Sequence, residues 1–314
     1  MTGAHAGAGS QRDPLQQAPF RAQPGDEIAH VRREDLRAGD VLLSRSPGPI
    51  ADLLCALDQS PYSHAGLWSG ERALAATPKG VRARHIDREL ERRSFIDVYR
   101  FRFYDHQLGE PGWPSAPLTA AAEAFLDQPV VYHELYLAGL LLAIGRRPDR
   151  DAKRAALELL SDRIAEFTQN HITQHKKRPI VGAELVASAF WLAETTPAHR
   201  LGLSIRIDGR RRFTGLPCAA RFPPEPPDPP KTDDDAQVDA DYDQLAQDCG
   251  RLLLAARPEL ASTVEPLQRV HAEATTRGQP LVVVAGGAML PLACMTPSDL
   301  SRSPSLERVG RLTD

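Results

Sequence analysis

The side chains in this chain with the widest chemical reach are a histidine set among small neighbours, four scattered cysteines and a pair of histidines four residues apart. His64 stands in Ser63-His64-Ala65-Gly66-Leu67-Trp68, where small residues would let a second element approach closely. An imidazole so placed can take a proton from a nucleophile, provided that the two share a hydrogen bond. Cys55, in Leu53-Leu54-Cys55-Ala56-Leu57, has the apolar setting of a small buried hydrophobe rather than of a reactive thiol. His171 and His175 have the i, i+4 spacing of a helical metal pair, yet no acidic partner completes a motif and Lys176-Lys177 would repel a cation. They read as part of a solvated, amide-rich loop or helix end, and no metal site is expected. Cys55, Cys218, Cys249 and Cys294 are widely spaced without a Cys-x-x-Cys pair, which indicates neither a zinc site nor a dense disulfide framework. They fit a reducing compartment.

The elements that must position these residues follow from periodicity. The turn Leu36-Arg37-Ala38-Gly39-Asp40 delivers a strand at Val41-Leu42-Leu43, and Ile50, Leu53, Leu54 and Leu57 have helical spacing. Residues 63–68 read as a strand, Gly70-Glu71 as a hairpin turn, 73–76 as the returning strand, and 81–86 as a further strand. Residues 94–103 alternate apolar and polar, the period of a half-buried strand. The sheet is therefore expected to be antiparallel and meander-like. Helices are expected at 118–126, 133–144, 150–168, 181–194, 242–256 and 262–274, with a buried strand near 280–285.

Composition sets the bounds. With 314 residues, 42% hydrophobic and 25% charged, the chain is ordinary globular material. A formal net charge of −3, with no basic cluster interleaved with aromatics, argues against nucleic-acid binding. Residues 1–23 lack the continuous apolar core of a signal peptide, and the apolar run Leu135–Ile144 is about half the roughly 20 residues that span a bilayer. No transmembrane segment is expected, and the location is read as cytoplasmic, or exported without a signal peptide. Richness in Ala, Arg, Pro and Asp hints at a GC-rich bacterial genome. The run from Pro223 to Pro230, followed by Asp233-Asp234-Asp235, reads as an exposed linker. The expected organisation is a disordered tail (1–33), a core (34–222), a proline-rich linker with a helical insertion (223–290), and a segment closing the core (291–314).

Three segments together carry a family resemblance: Leu36-Arg37-Ala38-Gly39-Asp40-Val41-Leu42-Leu43-Ser44, Pro61-Tyr62-Ser63-His64-Ala65-Gly66-Leu67-Trp68, and Arg178-Pro179-Ile180-Val181-Gly182-Ala183-Glu184-Leu185-Val186. They resemble the circularly permuted papain-like hydrolases of the NlpC superfamily, the YiiX-like group. The ending, with Thr296-Pro297-Ser298-Asp299-Leu300, resembles that family's closing segment. The resemblance implies a permuted papain-like α+β fold, an antiparallel sheet packed against helices, with His64 at the histidine position. It also implies a nucleophilic cysteine at the start of the helix, where the helix dipole would lower its pKa. That position is Gly182 here. In the same register Ala75 falls where related sequences often carry a third, orienting group, although Tyr62, Ser69 or His85 could substitute. Tyr62, Ser63 and Glu184 are the residues expected to line the site, Glu184 making a first-turn contact at the helix N-terminus rather than acting as a base.

Glycine has no side chain to attack with, and stabilisation by neighbouring amides does not replace covalent attack. The resemblance thus implies a degenerate hydrolase, a pseudoenzyme that binds an amide- or acyl-bearing small molecule or a protein partner in the former cleft, without a cofactor. A second reading is an active amide, ester or thioester hydrolase, on peptidoglycan peptides or acyl lipids, that uses His64 with a relocated nucleophile. Cys55, Ser188 or a group from a partner would serve, though Ser188 lies almost two turns from the helix N-terminus. A third reading makes the 223–290 region the functional part, presented to a partner by the acidic linker, although such charge runs are usually solvated.

Overall fold

The structure is a computed structural model and describes residues 28–103, 106–145, 148–167, 169–170, 177–196, 199–201, 203, 206–208, 232–258, 282–284 and 292–313. In chain order, β1 (His30–Val31) and β2 (Val41–Arg45) precede α1 (Pro49–Asp58). There follow β3 (His64–Trp68), β4 (Ala73–Thr77), β5 (Gly80–Arg84), α2 (Ile86–Leu90), β6 (Phe95–Phe103) and β7 (His106–Gln107). A helical half begins with α3 (Ala116–Glu123), β8 (Val130–Val131), α4 (Glu134–Ala143), α5 (Arg150–Phe167), β9 (Arg178–Pro179) and α6 (Gly182–Leu192). The short strands β10 (Glu194–Thr196), β11 (His199–Arg200) and β12 (Arg206–Asp208) lead to α7 (Asp233–Ala256). Then come β13 (Val282–Val284), α8 (Pro297–Ser301) and β14 (Leu306–Leu312).

The main sheet has the order β1-β14-β6-β2-β3-β4-β5, with β7 paired to β6. The hairpins β3-β4 and β4-β5 are antiparallel as their turns dictate, while β2 is inserted between β3 and β6. The sheet is nevertheless mixed, which corrects the expectation of an antiparallel meander: β1 lies parallel to β14. Chain ends distant in sequence meet here, and no local turn governs the direction of such a pairing. His30 and Val31 therefore belong to the sheet rather than to a tail. The 81–86 strand stops at Arg84, and Ile86 instead opens α2.

The two faces of the sheet carry different cover. Val41, Leu43, Ala65, Leu67, Leu74, Tyr99 and Phe101 join the large core with the helices, whereas Leu42, Trp68, Ala73, Ile96 and Val98 form a smaller cluster with Ile86 on the other side. This split follows the period of two along a strand. α4 is apolar all round and buried from Leu135 to Ala143, as befits a helix at the centre of the helical layer. α7 packs along both α4 and α5, with Tyr242, Leu245, Cys249 and Leu253 in the large core. Asp233-Asp234-Asp235, expected in an exposed linker, forms the first turn of that helix. Thr232 and Asp235 cap each other there, and Arg150 of α5 pairs with both Asp234 and Asp235. The expected helix at 262–274 and the run Pro223–Pro230 lie outside the described residues. Among the described residues, no helix is long and apolar enough to cross a membrane.

Candidate functional site

Strand β3 begins at His64, whose register partner on β2 is Ser44. The first turn of α6 packs directly on this strand. A Cβ built at Gly182 would stand 2.4 Å from the carbonyl oxygen of Ala65 and 3.2 Å from its nitrogen. Such a separation is far inside van der Waals contact, and the obstructing atoms are backbone. Glycine at 182 is thus what lets α6 seat on β3, and a cysteine there would need the helix or the strand to move.

His64 is buried, 5% exposed, with its ring 5.3 Å from that of Tyr132. Neither ring nitrogen has a hydrogen-bond partner among the described residues. Burial holds its pKa well below the ordinary histidine range, and the nearby charges of Arg93 and Arg84 push it the same way. The imidazole is therefore neutral at physiological pH. Tyr132 is fixed by its own amide, which donates to the carbonyl of Thr77 at 3.0 Å. Arg84 and Arg93 share one buried carboxylate: Arg84 donates to Glu89 at 3.0 Å, and Arg93 to its other oxygen at 3.3 Å and to the hydroxyl of Ser46. Glu134, at the start of α4, has its pKa raised by burial, an effect that Arg93 opposes.

The other residues expected to act at this site are occupied elsewhere. Tyr62 donates its hydroxyl to Asp97 at 2.8 Å and lies 2.9 Å from the hydroxyl of Tyr99. The hydroxyl of Ser63 accepts the amide of Ser46 at 3.0 Å. Glu184, 1% exposed, accepts hydrogen bonds from Arg178 at 2.6 Å, from Arg257 at 3.3 Å and from the amide of Val181 at 3.4 Å. Ala75 is buried on β4 opposite Gly66, two residues along β3 from His64. Ser69 sits in the turn beyond the far end of β3, and His85 precedes α2 on the surface.

The candidate replacement nucleophiles fare no better. Cys55 is fully buried, and burial pushes its thiol up to about 12, so it carries no thiolate at neutral pH. Ser188 lies inside α6, also buried. Among the described residues no group of three or more His, Cys, Asp or Glu side chains converges as a metal set would, and His171 and His175 lie outside those residues. Among the described residues, neither ring nitrogen of His64 therefore meets a group that could attack a substrate.

Sequence reasoning missed Tyr132, Arg84 and Arg93, which act on His64, and Glu89, which holds the two arginines. Arg84, Glu89 and Arg93 lie in one short stretch, with Glu89 and Arg93 at i, i+4, yet nothing in that spacing announces that the stretch folds toward His64, and Tyr132 comes from a distant part of the sequence. Comparison with protein-family models, with curated proteins and with solved structures gave no match.

Proposed function

We propose that this chain is a catalytically degenerate protein of permuted papain-like architecture, a binding or regulatory module and not a hydrolase. Its ligand on this reading is an amide- or acyl-bearing small molecule, or a protein partner carrying such a group. The observation that carries it is the junction of α6 and β3. A helix N-terminus meets a histidine strand, as cysteine hydrolysis requires, but the helix begins with a glycine whose Cβ, if added, would stand 2.4 Å from the carbonyl oxygen of Ala65. The buried, neutral His64, unpartnered among the described residues, supports the same reading, since a base kept from both water and nucleophile does no proton transfer. The protonated state of Cys55 speaks against a relocated thiolate.

The test is turnover of activated ester, thioester and muropeptide substrates by the native chain and by His64→Ala at equal concentration. No turnover by either protein is expected. Turnover by the native chain that disappears in His64→Ala would overturn the proposal and establish an enzyme with a displaced nucleophile.

A further inference from the structure

The end of α7 reaches the beginning of α6. Arg257, which caps α7, is 3% exposed, and its guanidinium straddles the junction at which α6 starts. Nη1 donates to the carbonyl of Pro179 at 2.7 Å, and Nη2 to the carboxylate of Glu184 at 3.3 Å. Pro179 belongs to β9 and Glu184 to the first turn of α6, so one side chain ties down both sides of Val181-Gly182. Gly182 is the residue pressed against Ala65. A buried guanidinium is tolerated where its hydrogen bonds are met, and these acceptors lie across the seam instead of on α7 itself.

We propose that Arg257 is a latch: through this one side chain α7 holds the first turn of α6 closed on β3 and so controls access to His64. The proposal rests on the reading of the α6–β3 seam as a former cleft and adds to it the element that keeps the seam shut. Without Arg257, Glu184 retains Arg178, whose side chain is 44% exposed and can draw the carboxylate toward water. The ion pairs at the other end of α7 run to Arg150, Lys153 and Arg154 of α5, so the effect is confined to one end of the helix.

Arg257→Met in the full chain keeps most of the side-chain bulk and removes the donors. Hydrogen exchange followed residue by residue reads the seam through the amide of Leu185, which donates to the carbonyl of Val181 at 3.0 Å. Protection there is expected to fall about tenfold or more, while α4 and the middle of α7 keep theirs. Modification of His64 by diethyl pyrocarbonate, mapped by mass spectrometry, is expected to quicken in parallel. Arg178→Met is the control and should leave both readouts near the native level. Should Arg257→Met lose protection throughout the molecule, Glu184→Gln with Arg257→Met removes the buried charge together with the latch and decides the matter. Native protection at Leu185 and an unreactive His64 in either folded variant would overturn the latch. Neither readout depends on hydrolysis, so an active native enzyme would defeat the functional reading and leave the latch standing.

Discussion

At the scale of single residues, Gly182 and His64 make opposite demands. An added methyl at 182 meets a carbonyl oxygen at 2.4 Å, and backbone does not rotate aside as a long side chain would. Gly182→Ala is therefore expected to destabilise the fold by about 1–3 kcal/mol, seen as a lower urea midpoint at unchanged slope. Gly182→Cys should lose at least as much and gain no esterase activity; an active Gly182→Cys would mean that the seam opens easily. His64 makes stability depend on pH. In the unfolded chain its imidazole takes up a proton near pH 6.5, whereas in the folded chain its pKa lies well below that. As pH falls below about 6.5 the unfolded state binds a proton that the folded state refuses, so this contribution to stability is full above 6.5 and declines beneath it. Urea unfolding at pH 7.5, 6.5 and 5.5 should show a steeper acid loss for the native chain than for His64→Leu. Equal slopes would place the imidazole in contact with water. His64 could be found in the sequence from the small residues around it, and Gly182 from the frame that surrounds it. The charges near His64 could not: Glu89 and Arg93 have the i, i+4 spacing of a local ion pair and Arg84 lies close by in sequence, but only tertiary packing brings the two arginines to His64.

At the scale of elements, α7 shows which sequence signals were present and which were outweighed. Thr232-Asp233-Asp234-Asp235 was legible as a helix start, since a threonine with an acidic residue three positions on can cap reciprocally, and carboxylates are favoured in a first turn. The neighbouring prolines and the bare run of charge suggested a linker instead. What decides the matter is partly non-local: Arg150 and Arg154 on α5 face Asp234 and Asp235, Lys153 pairs with Asp239 further along α7, and Tyr242 is 1% exposed in the shared core. The two contributions differ in size. Asp234 has a side chain 64% exposed, and Asp234→Asn is expected to cost under about 1 kcal/mol, less still in high salt. Tyr242→Ala removes a large side chain from the core and should cost about 3–5 kcal/mol. Chemical denaturation of the two variants at low and high salt checks the ranking. A loss for Asp234→Asn comparable to that of Tyr242→Ala would mean that charge, not packing, docks the helix.

At the scale of the whole molecule, the two described ends of the chain close one sheet. The hairpins β3-β4 and β4-β5 follow from local turns, whereas β14 enters between β6 and β1 from across most of the sequence, so its place could not be read from pattern. Gly310 permits this closure, because a Cβ there would stand 2.2 Å from the carbonyl oxygen of Ala29. Electrostatics fastens it. Asp97 on β6, 1% exposed, accepts from Arg308 at 2.7 Å, Arg311 at 2.8 Å and the hydroxyl of Tyr62 at 2.8 Å. The arginine side chains are 37% and 31% exposed, so each can turn to water if the carboxylate is removed. Asp97→Ala is therefore expected to cost only its lost hydrogen bonds, about 1–3 kcal/mol. Arg308→Ala with Arg311→Ala does the reverse, leaving a buried carboxylate without cations, and should cost about 3–5 kcal/mol. Urea unfolding of the two variants measures this asymmetry directly. A double-arginine variant no less stable than Asp97→Ala would show that β14 is held by its backbone ladder and apolar contacts, with the arginines free to leave.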